Sequence, residues 1–231
     1  MERKLKNKLI ISLDCDWYKA IEVVRETCDL ECVYGYKVGF QLGLMYGLSA
    51  TVAAIKQLTG DKKVVYDHQK AGNDIPDMGR NFAKTMKSCE VDHVILFPFV
   101  GPESLKRWIT EHLDREIDVM VGGRMTHMGF ERMISNLESS NIYAQAAKLG
   151  VTKFVLPPTE ENYYELVHDH VTKYCDDPIF LSPGFGAQGC NHNMYTDVPI
   201  IGRSVVHSES PKDRVLYWAD KLLKRKEEGD S

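Results

Sequence analysis

A lysine flanked by two aspartates carries the strongest chemical signal in the sequence. The segment YDHQKAGNDI places Lys70 between Asp67 and Asp74. Neighbouring carboxylates keep an ammonium protonated, so Lys70 is suited to stabilise a developing negative charge and then donate a proton. This pattern favours a catalytic role for all three residues. The non-functional alternative is that Lys70 is a solvated loop lysine and Asp67 merely ends a strand.

A glycine-rich segment, SPGFGAQG at 182–189, indicates a second kind of chemistry. It contains GxGxxG, but poor helix-forming sequence follows, and about 20 residues on stands Arg203 instead of the acid that a dinucleotide fingerprint needs. No GK[ST] follows either, which excludes a P-loop. The glycines allow the backbone to approach an anion, and Gln188 adds an amide donor. With Gly202 and Arg203, whose guanidinium can bind phosphate bidentately, the segment predicts a phosphate site. The alternative is a plain turn beside a surface arginine.

Eight short apolar runs must position these residues. They are Leu9–Leu13, Val33–Val38, Lys63–Tyr66, Val94–Phe97, Val119–Val121, Phe154–Leu156, Ile179–Leu181 and Pro199–Ile201. Stretches of helical periodicity separate most of them, such as Glu103–Leu113, Ala144–Leu149 and Tyr163–Val171. Continuous apolar runs are typical of strands buried on both faces. The alternation therefore predicts an α/β fold, a single (β/α)₈ TIM barrel, with an open doubly wound sheet as the alternative.

The placement of polar residues favours the barrel over the open sheet. Asp14, Lys37, Asp67, Thr126 and Arg203 all lie at or just past the C-terminal ends of apolar runs. In a barrel these ends converge on one mouth, where catalytic residues gather. In an open sheet the same residues would spread along an edge.

Length and composition describe one enzyme-sized domain. The 231 residues predict a single domain over 1–231, with an N-terminal extension at 1–8 and a polar tail at 224–231. A net charge of −4 provides no field that would attract nucleic acid or acidic membranes. The apolar run behind the basic start breaks at Asp14, too early for a signal peptide. No stretch approaches the about 18 apolar residues of a membrane span, so we expect a cytoplasmic protein.

The cysteines and histidines do not form a metal motif. The six cysteines are scattered without CxxC, and the eight histidines lack HExxH spacing. We expect free thiols in a reducing compartment, and no metal or organic cofactor.

Several motifs, in order along the chain, resemble those of the orotidine 5'-monophosphate decarboxylase family, especially its archaeal-type members. SPGFGAQG followed by IIGRS resembles the phosphate-gripping region of the family. ISLD, with Asp14, resembles the first-strand acid, and YKVGF, with Lys37, the second-strand lysine. RMTHMG places Thr126 where the family has a serine. The resemblance runs from Leu9 to Arg203.

The resemblance implies a role for each matching residue. Asp14 would bind the ribose, Lys37 would bind ribose and brace the charge network, and Thr126 would touch the pyrimidine. The remaining substrate-binding set is Ile75, the closing phosphate gate of Pro183, Gly184, Phe185, Gly186, Ala187 and Gln188, and the Gly202 and Arg203 pair that completes the grip. The resemblance also implies a homodimer in which Asp74 enters the active site of the partner subunit.

The catalytic segment departs from the family pattern. The family has DxKxxDI, whereas this chain has DxxKxxxDI, with one extra residue on each side of Lys70. Strand residues alternate faces, so Asp67 and Lys70 diverge unless a bulge or irregular turn realigns them, which Gly72 would permit. The family's threonine is Met78 here, which removes one phosphate or cross-subunit contact.

The resemblance implies cofactor-independent decarboxylation of orotidine 5'-monophosphate to UMP, in pyrimidine biosynthesis, with Lys70 protonating the C6 carbanion. Its partner would be a phosphorylated pyrimidine nucleotide. Two alternatives stay open. One is a related barrel enzyme that decarboxylates a keto-acid sugar phosphate or performs a metal-assisted aldol step. The other is a nucleotide-binding paralogue without catalytic activity.

Overall fold

The chain folds into a closed barrel of parallel strands. A computed structural model describes residues 5–68, 71–125, 127, 129–157, 161–185 and 195–223. Each of the eight strands pairs in parallel with the next along the chain, and the last pairs with the first. The TIM-barrel prediction is confirmed, and the open doubly wound sheet is wrong.

The strands coincide with the eight predicted apolar runs. They are β1 (Leu9–Ser12), β2 (Val33–Gly39), β3 (Lys63–Asp67), β4 (His93–Leu96), β5 (Asp118–Gly122), β6 (Lys153–Val155), β7 (Ile179–Pro183) and β8 (Val198–Ile201). Nearly every strand residue is buried, because side chains fill the interior on one face and helices cover the other.

Within the described ranges, nine α-helices surround the strands. They are α1 (Trp17–Thr27), α2 (Phe40–Met45), α3 (Leu48–Thr59), α4 (Met78–Ser88), α5 (Pro102–Leu113), α6 (Asn136–Lys148), α7 (Glu161–Val171), α8 (Arg203–Val206) and α9 (Pro211–Leu223). A short 3₁₀ turn spans Phe130–Arg132. None of these helices is long and apolar enough to cross a membrane.

Side-chain caps fix where two of the helices begin. The Asp16 carboxylate accepts a hydrogen bond from the Lys19 amide at 3.0 Å at the start of α1. Before α6, the Ser135 hydroxyl accepts from the Glu138 amide, and the Glu138 carboxylate accepts from the Ser135 amide. The apolar pattern at Ala144–Leu149 predicted only the end of α6, since its polar first turns are held by this capping box.

Two apolar layers hold the barrel together. One fills its interior and includes Ile10, Val65, Ile95 and Met120. The larger one lies between strands and helices. Leu5, in the predicted N-terminal extension, is 1% exposed and packs with the interior layer at the N-terminal ends of the strands. The end of this extension therefore closes the bottom of the barrel.

Candidate active site

A lysine shared by two aspartates lies where the first three strands end. Lys37 Nζ donates a hydrogen bond to Asp67 Oδ2 at 2.8 Å and lies 3.6 Å from Asp14 Oδ2. Lys37 is in register with Val65, which lies two residues before Asp67 on β3. The side chains of Lys37 and Asp67 therefore point to the same face of the sheet. The structure thus brings together three of the residues singled out in the sequence.

Burial and charge act in opposite directions on this lysine. Burial opposes the charge of Lys37, but the attraction of Asp67 and then of Asp14 outweighs it, and the pKa of Lys37 lies above its ordinary value of 10.5. Lys37 therefore carries its proton at neutral pH. As a fixed cation, it holds the two carboxylates in place.

A cavity of about 210 Å³ opens beside this cluster. The polar cluster forms one side of it, the ends of β7 and β8 form another, and apolar side chains complete the wall. Its lining residues are Ser12, Asp14, Lys37, Asp67, Ile95, Phe97, Val155, Pro183, Gly184, Phe185, Ile200, Gly202 and Arg203. The sequence motifs did not single out Ser12 or the apolar wall. Alternation in VILF, which puts Ile95 and Phe97 on one face, was the available signal.

The wall is shaped by a glycine opposite an aromatic ring. A Cβ atom on Gly122 would lie 2.1 Å from the ring of Phe97, so only glycine leaves room for the ring. The Phe97 amide donates to the Ala71 carbonyl at 2.8 Å, which ties the end of β4 to the segment after β3. Phe97 therefore occupies space inside the barrel that a β5 side chain would otherwise fill.

The described part of the predicted phosphate gate lies at the same cavity. Pro183 ends β7, and Gly184 follows with φ of 100°, in the left-handed region that favours glycine. Phe185 is only 2% exposed, so it anchors the segment in the core while lining the cavity. On the neighbouring strand, Gly202 follows β8 and the exposed Arg203 begins α8.

Two predicted site residues lie apart from this cavity. Asp74 and Ile75 are exposed and line a separate depression together with Val100. The Asp74 carboxylate accepts a hydrogen bond from the Ile75 amide at 2.7 Å. The backbone carbonyl of Asp74 accepts one from the Ser104 hydroxyl at 2.6 Å. The structure does not bring Asp74 to the Lys37 cluster of its own chain.

The described part of the segment after β3 turns at Gly72. Gly72 has φ of 96°, and a Cβ atom there would lie 3.2 Å from the backbone of Pro98. The side chain of Asn73 accepts a hydrogen bond from the Phe99 amide at 2.9 Å. These contacts fasten the segment to the β4–α5 loop. Met78, in the place of the family threonine, begins α4 and is partly exposed.

Five predicted site residues, Lys70, Thr126, Gly186, Ala187 and Gln188, lie outside the described residues. Among the residues that are described, no group of three or more histidine, cysteine or acidic side chains is placed to hold a metal ion.

A closed (β/α)₈ barrel with an acid–lysine cluster at the C-terminal ends of its strands defines a TIM-barrel enzyme, because catalytic residues of this fold gather there. Comparison with known proteins specifies the family. The chain belongs to the Orotidine 5'-phosphate decarboxylase / HUMPS family, whose match spans residues 7–216.

Curated relatives and solved structures agree with this assignment. The chain is 30% identical over 213 residues to an orotidine 5'-phosphate decarboxylase of Methanococcus maripaludis, with 89% of this chain and 93% of that protein covered. It is 29% identical over 227 residues to the enzyme of Methanocaldococcus jannaschii, covering 94% and 99%. The crystal structure of the M. jannaschii decarboxylase complexed with the inhibitor BMP superposes with a TM-score of 0.80 at 27% identity, covering 94% of this chain and 99% of that one.

Proposed function

We propose that this chain decarboxylates orotidine 5'-monophosphate to UMP in pyrimidine biosynthesis, without a cofactor. The observation that carries the proposal is the cluster at the mouth, where Lys37 holds Asp67 at 2.8 Å and lies 3.6 Å from Asp14 beside the cavity. These three side chains carry one more negative than positive charge. A second ammonium, that of Lys70, is therefore electrostatically favoured next to Asp67.

In this proposal each side of the cavity binds one part of the substrate. Asp14 and Lys37 bind the ribose, and Thr126 contacts the pyrimidine. Arg203 and the gate from Pro183 to Gln188 bind the phosphate. The phosphate grip offsets the cost of bringing the substrate carboxylate close to Asp67, since binding energy from a remote group can be used at the reacting centre.

The chemical step needs one proton and no redox partner. The bond between C6 and the carboxylate breaks, carbon dioxide leaves, and the electron pair stays on C6 as a carbanion without an adjacent electron sink. The Lys70 ammonium stabilises that charge and transfers its proton to C6, which gives UMP. Asp67 and Asp74 keep Lys70 protonated before the step.

The Lys70→Ala variant tests this role. We expect kcat to fall by about 10⁴-fold, the upper range for loss of a proton donor, while UMP still binds. Turnover is followed by the loss of ultraviolet absorbance of orotidine 5'-monophosphate in the presence of a chelator. The matched control is Lys212→Ala, on a lysine of α9 that pairs with Asp29 at the surface. Retained turnover in Lys70→Ala would remove the proton-donor assignment.

Chelator sensitivity and calorimetry separate the two alternative functions from the proposed one. A metal-assisted aldol reaction on a sugar phosphate would be abolished by the chelator, whereas the proposed decarboxylation would not. A paralogue without catalytic activity would bind UMP tightly in calorimetry and show no turnover of orotidine 5'-monophosphate.

We further propose a homodimer in which Asp74 completes the site of the partner subunit. Asp74 is exposed and does not line the cavity of its own chain. Large apolar side chains are also exposed in the segments that follow the neighbouring strands β2, β3 and β4. These are Phe40, Leu44, Met45, Ile75, Met78 and Val100. Apolar surface on adjacent mouth loops is typical of a protein interface.

Mixing two inactive variants tests the shared site. Lys70→Ala and Asp74→Ala chains, unfolded and refolded together, form mixed dimers with one intact site. Random pairing should restore about a quarter of wild-type activity. A mixture as inactive as its parents, or a monomer in sedimentation equilibrium, would contradict the shared site.

We propose that the enzyme works in the cytoplasm. Cys15, Cys28, Cys32 and Cys89 are free thiols, which supports a reducing compartment.

A further inference from the structure

A buried serine contacts the aspartate that the proposed function assigns to ribose binding. Ser12 is the last residue of β1, and its Oγ donates a hydrogen bond to Asp14 Oδ2 at 2.6 Å. Ser12 is 3% exposed and lines the cavity. Ser12 belongs to the ISLD segment, in which only Asp14 was assigned a role.

Neighbouring backbone and side-chain groups orient the Asp14 carboxylate. The Leu13 amide donates to the Lys37 carbonyl at 2.9 Å, which fixes the backbone just before Asp14 against β2. Oδ1 lies where a side chain on residue 39 would be, since a Cβ atom on Gly39 would come within 2.9 Å of it. Oδ2 is therefore the oxygen that faces both Ser12 and Lys37.

Ser12 and Lys37 both face that oxygen, at different distances. The hydroxyl lies 2.6 Å from Asp14 Oδ2, whereas the ammonium is 3.6 Å from the same atom and 2.8 Å from Asp67. The hydroxyl is therefore the closer of the two donors to Oδ2, and the ammonium makes its shorter contact with Asp67. Without that hydroxyl, Asp14 would attract the ammonium away from Asp67 or rotate towards solvent, since its side chain is half exposed.

We propose that Ser12 is a positioning residue, which holds Asp14 in its ligand-binding orientation and thereby keeps Lys37 on Asp67. This inference rests on the proposed function, because it concerns how the same site binds a nucleotide. The competing explanation is that Ser12 is simply a buried hydroxyl that needs an acceptor. The two differ in whether substitution alters ligand binding or only stability.

The Ser12→Ala variant separates them. Losing a hydrogen bond to a charged group should lower kcat/KM and UMP affinity about tenfold, mainly through KM. Ser12→Thr, which keeps the hydroxyl and suits a strand, should restore most of the loss. The matched control is Ser140→Ala on α6. Ser140 is 0% exposed and its hydroxyl donates a hydrogen bond to the Leu137 carbonyl at 2.8 Å, but it does not line the cavity.

A double-mutant cycle with Asp14→Ala tests whether Ser12 acts through Asp14. If it does, adding Ser12→Ala to Asp14→Ala changes UMP affinity less than about twofold, because the pair is coupled. If the two substitutions lowered UMP affinity independently, so that their factors multiply in the double variant, the inference would be overturned. Unaltered UMP affinity in a folded Ser12→Ala variant would overturn it as well. Affinity is measured by calorimetry without turnover. If the wild type did not decarboxylate orotidine 5'-monophosphate, the proposed function would fail separately from this result.

Discussion

Each end of the barrel buries a lysine that pairs with an aspartate, but the two arrangements are inverted. At the mouth, one cation, Lys37, lies between two carboxylates, at 2.8 Å from Asp67 and 3.6 Å from Asp14. At the bottom, one carboxylate, that of Asp118, faces two nitrogen atoms. Its Oδ2 pairs with Lys153 Nζ at 2.7 Å and lies 3.4 Å from His93 Nδ1, at the outer limit of hydrogen bonding.

The cavity at the bottom, which Asp118, Lys153 and His93 line, is larger than the cavity at the mouth. The bottom cavity has a volume of about 630 Å³, and Leu5 closes part of it. Its other lysines also face acids, with Lys56 and Lys63 both on Asp92. Buried ion pairs and cavity size therefore do not identify an active site by themselves. What distinguishes the mouth is its excess of carboxylate, its exposed arginine and its position at the C-terminal ends of the strands.

The largest difference in activity is expected between variants that neutralise Asp67 at the mouth and Asp118 at the bottom. Asp67→Asn should lower kcat/KM by about 10²- to 10³-fold, because it removes a preorganised charge at the reacting centre. Asp118→Asn should leave kcat/KM within about twofold of wild type, as expected for the stability face of a barrel.

Asp118→Asn should instead lower the free energy of unfolding. Asp118→Asn leaves the buried Lys153 without this carboxylate and should cost about 2 kcal/mol, less than the about 3–5 kcal/mol of a fully buried pair because the Asp118 side chain is 38% exposed. Urea unfolding and steady-state kinetics check both variants. Strong loss of activity in a folded Asp118→Asn enzyme would contradict the division between the two ends.

A smaller effect is expected from removing the arginine at the mouth. Arg203→Ala should raise KM about 10- to 100-fold and change kcat little, since charge-assisted hydrogen bonds to phosphate are worth about 1.5–3 kcal/mol. The control is Arg25→Ala, on an exposed arginine in the last turn of α1. An unaltered kinetic profile in Arg203→Ala would rule out the phosphate assignment.

Two glycines of β2 provide a still finer comparison. Gly39→Ala would place a Cβ atom 2.9 Å from Asp14 Oδ1, so we expect about a tenfold rise in KM with little loss of stability. Gly35→Ala, nearer the bottom, would place a Cβ atom 2.1 Å from the Lys63 carbonyl oxygen and should lower the Tm instead. Thermal melts and kinetics on both variants test this split. A Gly39→Ala enzyme with wild-type KM would contradict the placement of Asp14.

The smallest effect concerns pH. Burial raises the pKa of Asp118, but His93 and Lys153 outweigh burial and lower it from 3.8 to about 2. A lowered folded-state pKa contributes stability above pH 3.8, which is lost as the pH falls towards about 2. The difference in urea midpoint between wild type and Asp118→Asn should therefore narrow over this range. A difference that widens on acidification would contradict the pairing.

The sequence predicted the barrel well because continuous apolar runs and their polar ends are local signals. It also placed Asp14, Lys37 and Arg203 at one mouth, since strand ends converge in this fold. Ser12 and Gly39 could not be predicted, because their roles depend on the register between β1 and β2 and on the space around one carboxylate. Asp74 lies outside the cavity of its own chain, and no local pattern in the sequence indicates the path of the segment between β3 and α4.

A crystal structure with UMP bound tests the central claim most directly. We expect the ribose at Asp14 and Lys37, the phosphate at Arg203, and the Lys70 ammonium next to C6 of the pyrimidine. A nucleotide bound at the bottom of the barrel, or a Lys70 side chain directed into bulk water with the ligand in place, would contradict the account.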